Sequence, residues 1–129
     1  MTGTFSWQRR AVDAAVEMYV LHGELDSASA PSVRADVRRL FEDGERHSVV
    51  FDLTGLTFAD SVGLGVFFAA HRLCERCGGA AVLACPQVGV RGALDSTGLS
   101  STVLVAPTRA DAIISLSRAA HGHADALEG

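Results

Sequence analysis

The sequence predicts an α/β fold, a single mixed β-sheet of about five strands flanked by about four helices. Nearly continuous apolar runs at Ser48–Leu53 and Ala80–Ala84 have the character of central strands buried on both faces. Segments with helical apolar spacing lie before, between and after them, so strands and helices alternate. Two short strands precede that alternation, and a hairpin at one end makes the sheet mixed.

Thr4–Arg10 and Ala14–His22 read as the hairpin strands. In the second, Val16, Met18 and Val20 alternate with Glu17, Tyr19 and Leu21, as expected of a half-buried strand. Gly23-Glu24-Leu25-Asp26 breaks it. Ser27 or Ser29 then offers an N-cap, and Pro31 suits a first helical turn. Val33, Val37, Leu40 and Phe41 follow at helical spacing, with Arg34, Arg38 and Arg39 turned to solvent, until Asp43-Gly44 stops the helix. The run Ser48–Leu53 ends at Thr54-Gly55. A second helix spans about Val62–Cys77, with Val62, Val66, Ala70, Leu73 and Cys77 along one stripe. Gly78-Gly79 ends it through the left-handed geometry that glycine tolerates. After the strand Ala80–Ala84, Val88–Leu94 forms a short helix closed by Gly98, and Thr102–Val105 a last strand. Pro107 and Thr108 introduce a fourth helix with Ala112, Ile113, Leu116 and Ala119 facing inward. One domain over residues 1–120 and a tail over 121–129 follow from this order.

The totals exclude several classes. Of 129 residues, 48% are apolar and 20% charged, a globular balance that leaves room for a substantial core. The net charge of −4 supplies no general basic field for nucleic acid or anionic lipid. All eleven basic residues are arginine, which reads as coding bias before chemistry. No apolar run approaches the ~20 residues needed to span a bilayer. Met1–Arg10 lacks the apolar core of a secretory signal, so the expected compartment is the cytoplasm. An odd number of cysteines, Cys74, Cys77 and Cys85, agrees with a reducing setting.

The informative segment is Asp60-Ser61-Val62-Gly63-Leu64-Gly65, between a buried strand and an amphipathic helix. The first amides of a helix have no internal partners and carry the positive end of its dipole. A phosphate on Ser61 would meet those amides, as anions at helix starts do. Gly63 and Gly65 would let a partner's backbone, or a nucleotide's phosphate, approach without meeting a Cβ. Asp60 would accept hydrogen bonds before modification and repel the new charge afterwards. Simple capping by Asp60 or Ser61 remains open from these six residues alone. Gly63-x-Gly65 lacks the third glycine and the downstream acid of a dinucleotide fingerprint. Asp95-Ser96-Thr97-Gly98-Leu99 is a near copy, but Ser96 ends a helix, where a phosphate would face carbonyls. Ser61 is the physical choice.

With these residues in hand, the sequence resembles a STAS domain of the anti-sigma factor antagonist family. Three stretches carry the likeness over about residues 4–119: Gly23-Glu24-Leu25-Asp26, the run from Asp52 to Gly65, and Ser96-Thr97-Gly98-Leu99. The resemblance implies a STAS-like sheet flanked by helices and a partner switch without catalysis or cofactor. In the unmodified state such a protein binds an anti-sigma factor that is itself a serine kinase, and a sigma factor is released. The kinase then phosphorylates the serine after the aspartate, here Ser61, and a serine phosphatase reverses the change. Asp26 matches a loop aspartate of the kinase interface. Together with Asp60, Ser61, Val62, Gly63 and Leu64 it forms the expected partner-binding set. Val62 stands where relatives often carry Ser or Thr, which leaves one acceptor hydroxyl. Neither direct nucleic-acid binding nor membrane insertion is implied. An alternative on the same fold is a non-phosphorylated STAS scaffold, or a soluble subunit of a lipid- or anion-transport complex.

Other signals point to structure. Cys74-Glu-Arg-Cys77 lies at a helix end, where no dipole lowers a thiol pKa, and a zinc site needs about four ligands, so the three cysteines read as core filling. Leu64 and Phe68 form a second stripe that reads as core while being available to a partner. Asp13, Glu17 and Glu24 read as solvated charge, and Arg34, Arg38 and Arg39 as a wet helix face. The histidines show no nucleophile–base spacing.

Overall fold

The computed structural model describes residues 4–42 and 44–117. The chain runs β1 (Phe5–Ala11), β2 (Val16–Leu25), α1 (Ala30–Glu42), β3 (Ser48–Ala59), α2 (Ser61–Arg76), β4 (Ala81–Ala84), α3 (Val88–Ser96), a 3-10 turn (Leu99–Ser101) and β5 (Leu104–Ala106). A further helix, α4, occupies 109–117. The five strands lie side by side in chain order, β1 antiparallel to β2 and all later neighbours parallel. This is the mixed sheet with four helices that the sequence predicts. The tail at 121–129, Ala119 and Asp43 lie outside the described residues.

Because each crossover advances one place in the same direction, right-handed connections put α1, α2 and α3 on one face. There Val33, Val37 and Leu40 of α1, and Val66, Phe67 and Ala70 of α2, meet Tyr19, Phe51, Leu53 and Leu83 of the sheet. Trp7, Tyr19, Phe51 and Phe67 form an aromatic file with centroids 5.7, 5.5 and 5.0 Å apart. The opposite face, formed by Met18, Val20, Val50, Val82 and Ala106, is covered by Ala112 and Leu116 of α4.

Covering both faces changes the reading of β2. The alternation predicts a half-wet strand, yet Val16 through Leu21 are all buried. Glu17, expected in solvent, is only 4% exposed, and its carboxylate accepts from Arg46 Nε at 2.9 Å with Arg9 Nε at 3.8 Å. Strand β2 also continues through Gly23 to Leu25, and β3 through Gly55 to Ala59. Their pairing holds because β3 carries extra residues at two points: Val20 and His22 face Asp52 and Gly55, and Gly23 and Glu24 face Leu56 and Phe58. Such bulges break the two-residue period, so the alternation signal fails there although the strand goes on.

Asp52, 3% exposed near the middle of β3, anchors α4. Its Oδ1 accepts from the Thr54 N–H at 3.0 Å and the Thr54 hydroxyl at 2.6 Å, and its Oδ2 from Nε of Arg109 at 3.1 Å and from Arg109 Nη2. Burial alone would push this carboxyl up; the Thr54 and Arg109 bonds outweigh it and hold the group below the usual range. A depressed folded pKa adds stability above the unfolded value and loses it as pH falls through the folded one. Arg109→Ala is therefore expected to lose about 2 kcal/mol at pH 7, the cost of orphaning a buried charge discounted for the half-exposed guanidinium. Urea unfolding at pH 7 and pH 3 checks this: the gap to wild type should close in acid.

Candidate functional site

The site lies at the carboxyl ends of the parallel strands, where open α/β sheets characteristically bind. Leu25 and Ala59 are the last paired residues of β2 and β3. The Asp60 N–H donates to the Leu25 carbonyl at 3.2 Å, which fastens the β3–α2 turn to the β2–α1 turn. Asp26, on the β2–α1 turn, and Ser61, at the start of α2, thus stand on adjoining segments.

Asp60 is the N-cap of α2. With its backbone extended at φ −89° and ψ −174°, its Oδ1 accepts the Gly63 N–H at 2.9 Å, and its carbonyl accepts Leu64 N at 2.9 Å. Ser61 is therefore the first helical residue rather than the cap. Its side chain is exposed, and its hydroxyl has no hydrogen-bond partner among the described residues. Removing the cap with Asp60→Ala should cost about 1 kcal/mol, whereas Ser61→Ala should leave thermal stability unchanged. Melting curves of the two variants separate these roles.

Asp26 serves its own loop in the same manner. Its Oδ1 accepts the N–H groups of Ala28 at 3.0 Å and Ser29 at 3.1 Å, while the Asp26 N–H donates to Ser29 Oγ at 2.9 Å. The Ser29 N–H, ahead of the opposing effect of burial, holds the Asp26 carboxyl below its usual range. Asp26, and not Ser27 or Ser29, supplies the acceptor at the entry to α1.

The sequence puts Gly63 and Leu64 in the partner-facing set, but both lie beneath the surface. Leu64 is 6% exposed, within the core. Gly63 is buried because the end of β2 presses against it: a Cβ there would come within 2.9 Å of the Leu25 carbonyl carbon and closer still to its oxygen. Its role is to let α2 dock on β2. This docking also rotates the helix from the predicted stripe, so that Val66, Phe67, Ala70 and Cys74 face inward while Val62, at 45%, and Cys77 are exposed.

Phe68, read as core, is 41% exposed, and Phe58 is 48% exposed. Phe58 follows the second bulge of β3, which turns it outward two residues before Asp60. The sequence motif contains Phe58 without marking it. Nothing in the sequence signals it, since Leu56-Thr57-Phe58 alternates regularly and only the bulge turns Phe58 outward.

Cys74 is buried, and burial pushes its thiol up to about 12; Cys77 is exposed and Cys85 half-buried. Core filling accounts for Cys74 alone. Among the described residues no group of three or more His, Cys, Asp and Glu could hold a metal ion, and no helix is long and apolar enough to cross a membrane.

Residues 10–112 match the STAS domain family. The chain belongs to that family. This STAS domain is 30% identical over 79 residues to an anti-sigma F factor antagonist of Lysinibacillus sphaericus, covering 61% of this chain and 68% of that one. It is also similar to the anti-sigma factor antagonist SpoIIAA in its unphosphorylated form, with a TM-score of 0.75, 26% identity and coverage of 84% and 93%. The Bacillus cell fate determinant SpoIIAA in its phosphorylated form gives 0.69, 25%, 84% and 96%. This STAS domain therefore falls among the anti-sigma factor antagonists.

Proposed function

We propose that the chain is a cytoplasmic partner switch: with Ser61 unmodified it binds an anti-sigma factor that is a serine kinase, and so frees a sigma factor. Phosphate on Ser61 ends the binding, and a serine phosphatase restores it. The chain itself catalyses nothing. The observation that carries this reading is the Ser61 hydroxyl, exposed on the first turn of α2 and unengaged because Asp60 already caps the helix.

Ser48 and Ser96 are poorer acceptors. Ser48 is 2% exposed and its hydroxyl oxygen accepts the Ala80 N–H at 3.1 Å, so a kinase cannot reach it without opening the sheet. The Ser96 hydroxyl donates to the Ala93 carbonyl at 3.3 Å at the end of α3, and Gly98 follows in the left-handed conformation at φ 78°. A phosphate there would meet the negative end of a helix. The existence of SpoIIAA in phosphorylated and unphosphorylated forms supports a switch of this type.

The test is incubation with the cognate kinase and ATP, followed by peptide mass spectrometry. One phosphate should be found, on the peptide containing Ser61, and Ser61→Ala should remain unlabelled. Label at another residue, or a Ser61→Ala chain that is still modified, removes the assignment.

A further inference from the structure

Helices α1 and α2 leave a groove of about 480 Å3 between them, lined by Arg34 and Arg38 on one wall and Arg72 and Arg76 on the other. On each helix the two arginines are four residues apart, about 6 Å along the axis, so both walls present the same charge spacing. No acidic residue lines the groove, although the chain as a whole carries a net charge of −4. None of the four arginines has an ion pair among the described residues, whereas Arg9, Arg46, Arg91 and Arg109 each do. The floor is apolar, formed by Val37, Val66 and Leu73. Arg72 lies over the half-exposed Phe68 ring, 5.8 Å from its centroid.

A smaller hollow of about 200 Å3 shares Arg34, Arg38 and Val66 with this groove and reaches Val62, the neighbour of Ser61. The two make one track from the Ser61 end of α2 to Arg76, about 21 Å by helical rise. Arginine rows flanking an apolar floor complement a helix with carboxylates on its flanks and an apolar ridge between them.

We infer that this track is the docking groove for an acidic amphipathic helix of the anti-sigma factor kinase. The inference rests on the partner-switch reading and adds its chemistry: the arginines supply the attraction, and a phosphate on Ser61 puts negative charge at the head of the track. An acidic segment is then repelled at the point where it enters.

The test measures kinase binding by calorimetry at 50 and 300 mM salt for wild type, Ser61→Asp, the double variant Arg34→Glu/Arg72→Glu, and Arg10→Glu as a control on β1. All four changes are at exposed positions, and unchanged melting curves verify the fold. The double variant should bind at least tenfold more weakly and lose most of its salt dependence, while Arg10→Glu binds as wild type. Reversal of glutamates on the kinase to arginine should restore binding to the double variant. If the double variant binds as wild type while Ser61→Asp does not bind, the groove assignment falls and the switch stands; if wild type does not bind the kinase, both fall. ATP and vesicles of phosphatidylcholine with phosphatidylglycerol are titrated in parallel. Loss of binding to either of these in the double variant, with kinase binding intact, overturns the acidic-helix assignment in favour of a nucleotide or lipid site.

Discussion

Gly63→Ala is expected to destabilise the chain by about 3 kcal/mol, the upper end of what overpacking a tight contact costs. The atoms it would strike are the backbone carbonyl of Leu25, and no flexible side chain can move aside to relieve the clash. That carbonyl also accepts the Asp60 N–H, so displacing it disturbs the bond that joins the two turns of the site. Gly65→Ala is the internal control. A Cβ at Gly65 meets nothing within 4 Å, and helix propensity alone should favour alanine there by up to about 1 kcal/mol. Urea unfolding of the two variants should therefore give shifts of opposite sign. Equal losses would show that the cost comes from helix chemistry and not from the approach of β2.

This pair also marks what the sequence could and could not reveal. The strand–Asp–Ser–helix grammar around residues 48–76 was legible because it is local: a doubly buried run, a capping acid, then apolar residues at helical spacing. The meaning of Gly63 was not, because the group that demands a missing Cβ belongs to Leu25, on another strand. The burial of Glu17 is hidden for a similar reason, since its partner Arg46 stands in the connection between α1 and β3, distant in sequence. The ends of β2 and β3 lie beyond the reach of the alternation pattern because bulges interrupt the period on which strand recognition depends. Taken alone, Arg34, Arg38 and Arg39 of α1 are a wet helix face. Only the packing of α1 beside α2 sets Arg34 and Arg38 opposite Arg72 and Arg76.

Phosphorylation of Ser61 is expected to weaken partner binding at least 100-fold, about 2.7 kcal/mol, while leaving the fold almost untouched. The modification adds about −1.5 to −2 charges at neutral pH at an exposed position. In the free chain water solvates that charge, and the start of α2 favours it by an amount of order 1 kcal/mol, opposed by the Asp60 carboxylate. In a complex the same charge must be stripped of water against a surface that offers it no counter-ion, which costs several kcal/mol. The asymmetry lies between free and bound states, so no change of shape is required. Calorimetry of phosphorylated and unmodified chains against the kinase should give the affinity ratio, and melting temperatures should differ by no more than about 4 °C, the shift expected for ~1 kcal/mol in a domain of this size. Backbone chemical shifts should move around residues 58–66 and nowhere else. Widespread shifts through α1 and α2 would mean that the phosphate acts by rearranging the helices, and the desolvation account would then be wrong.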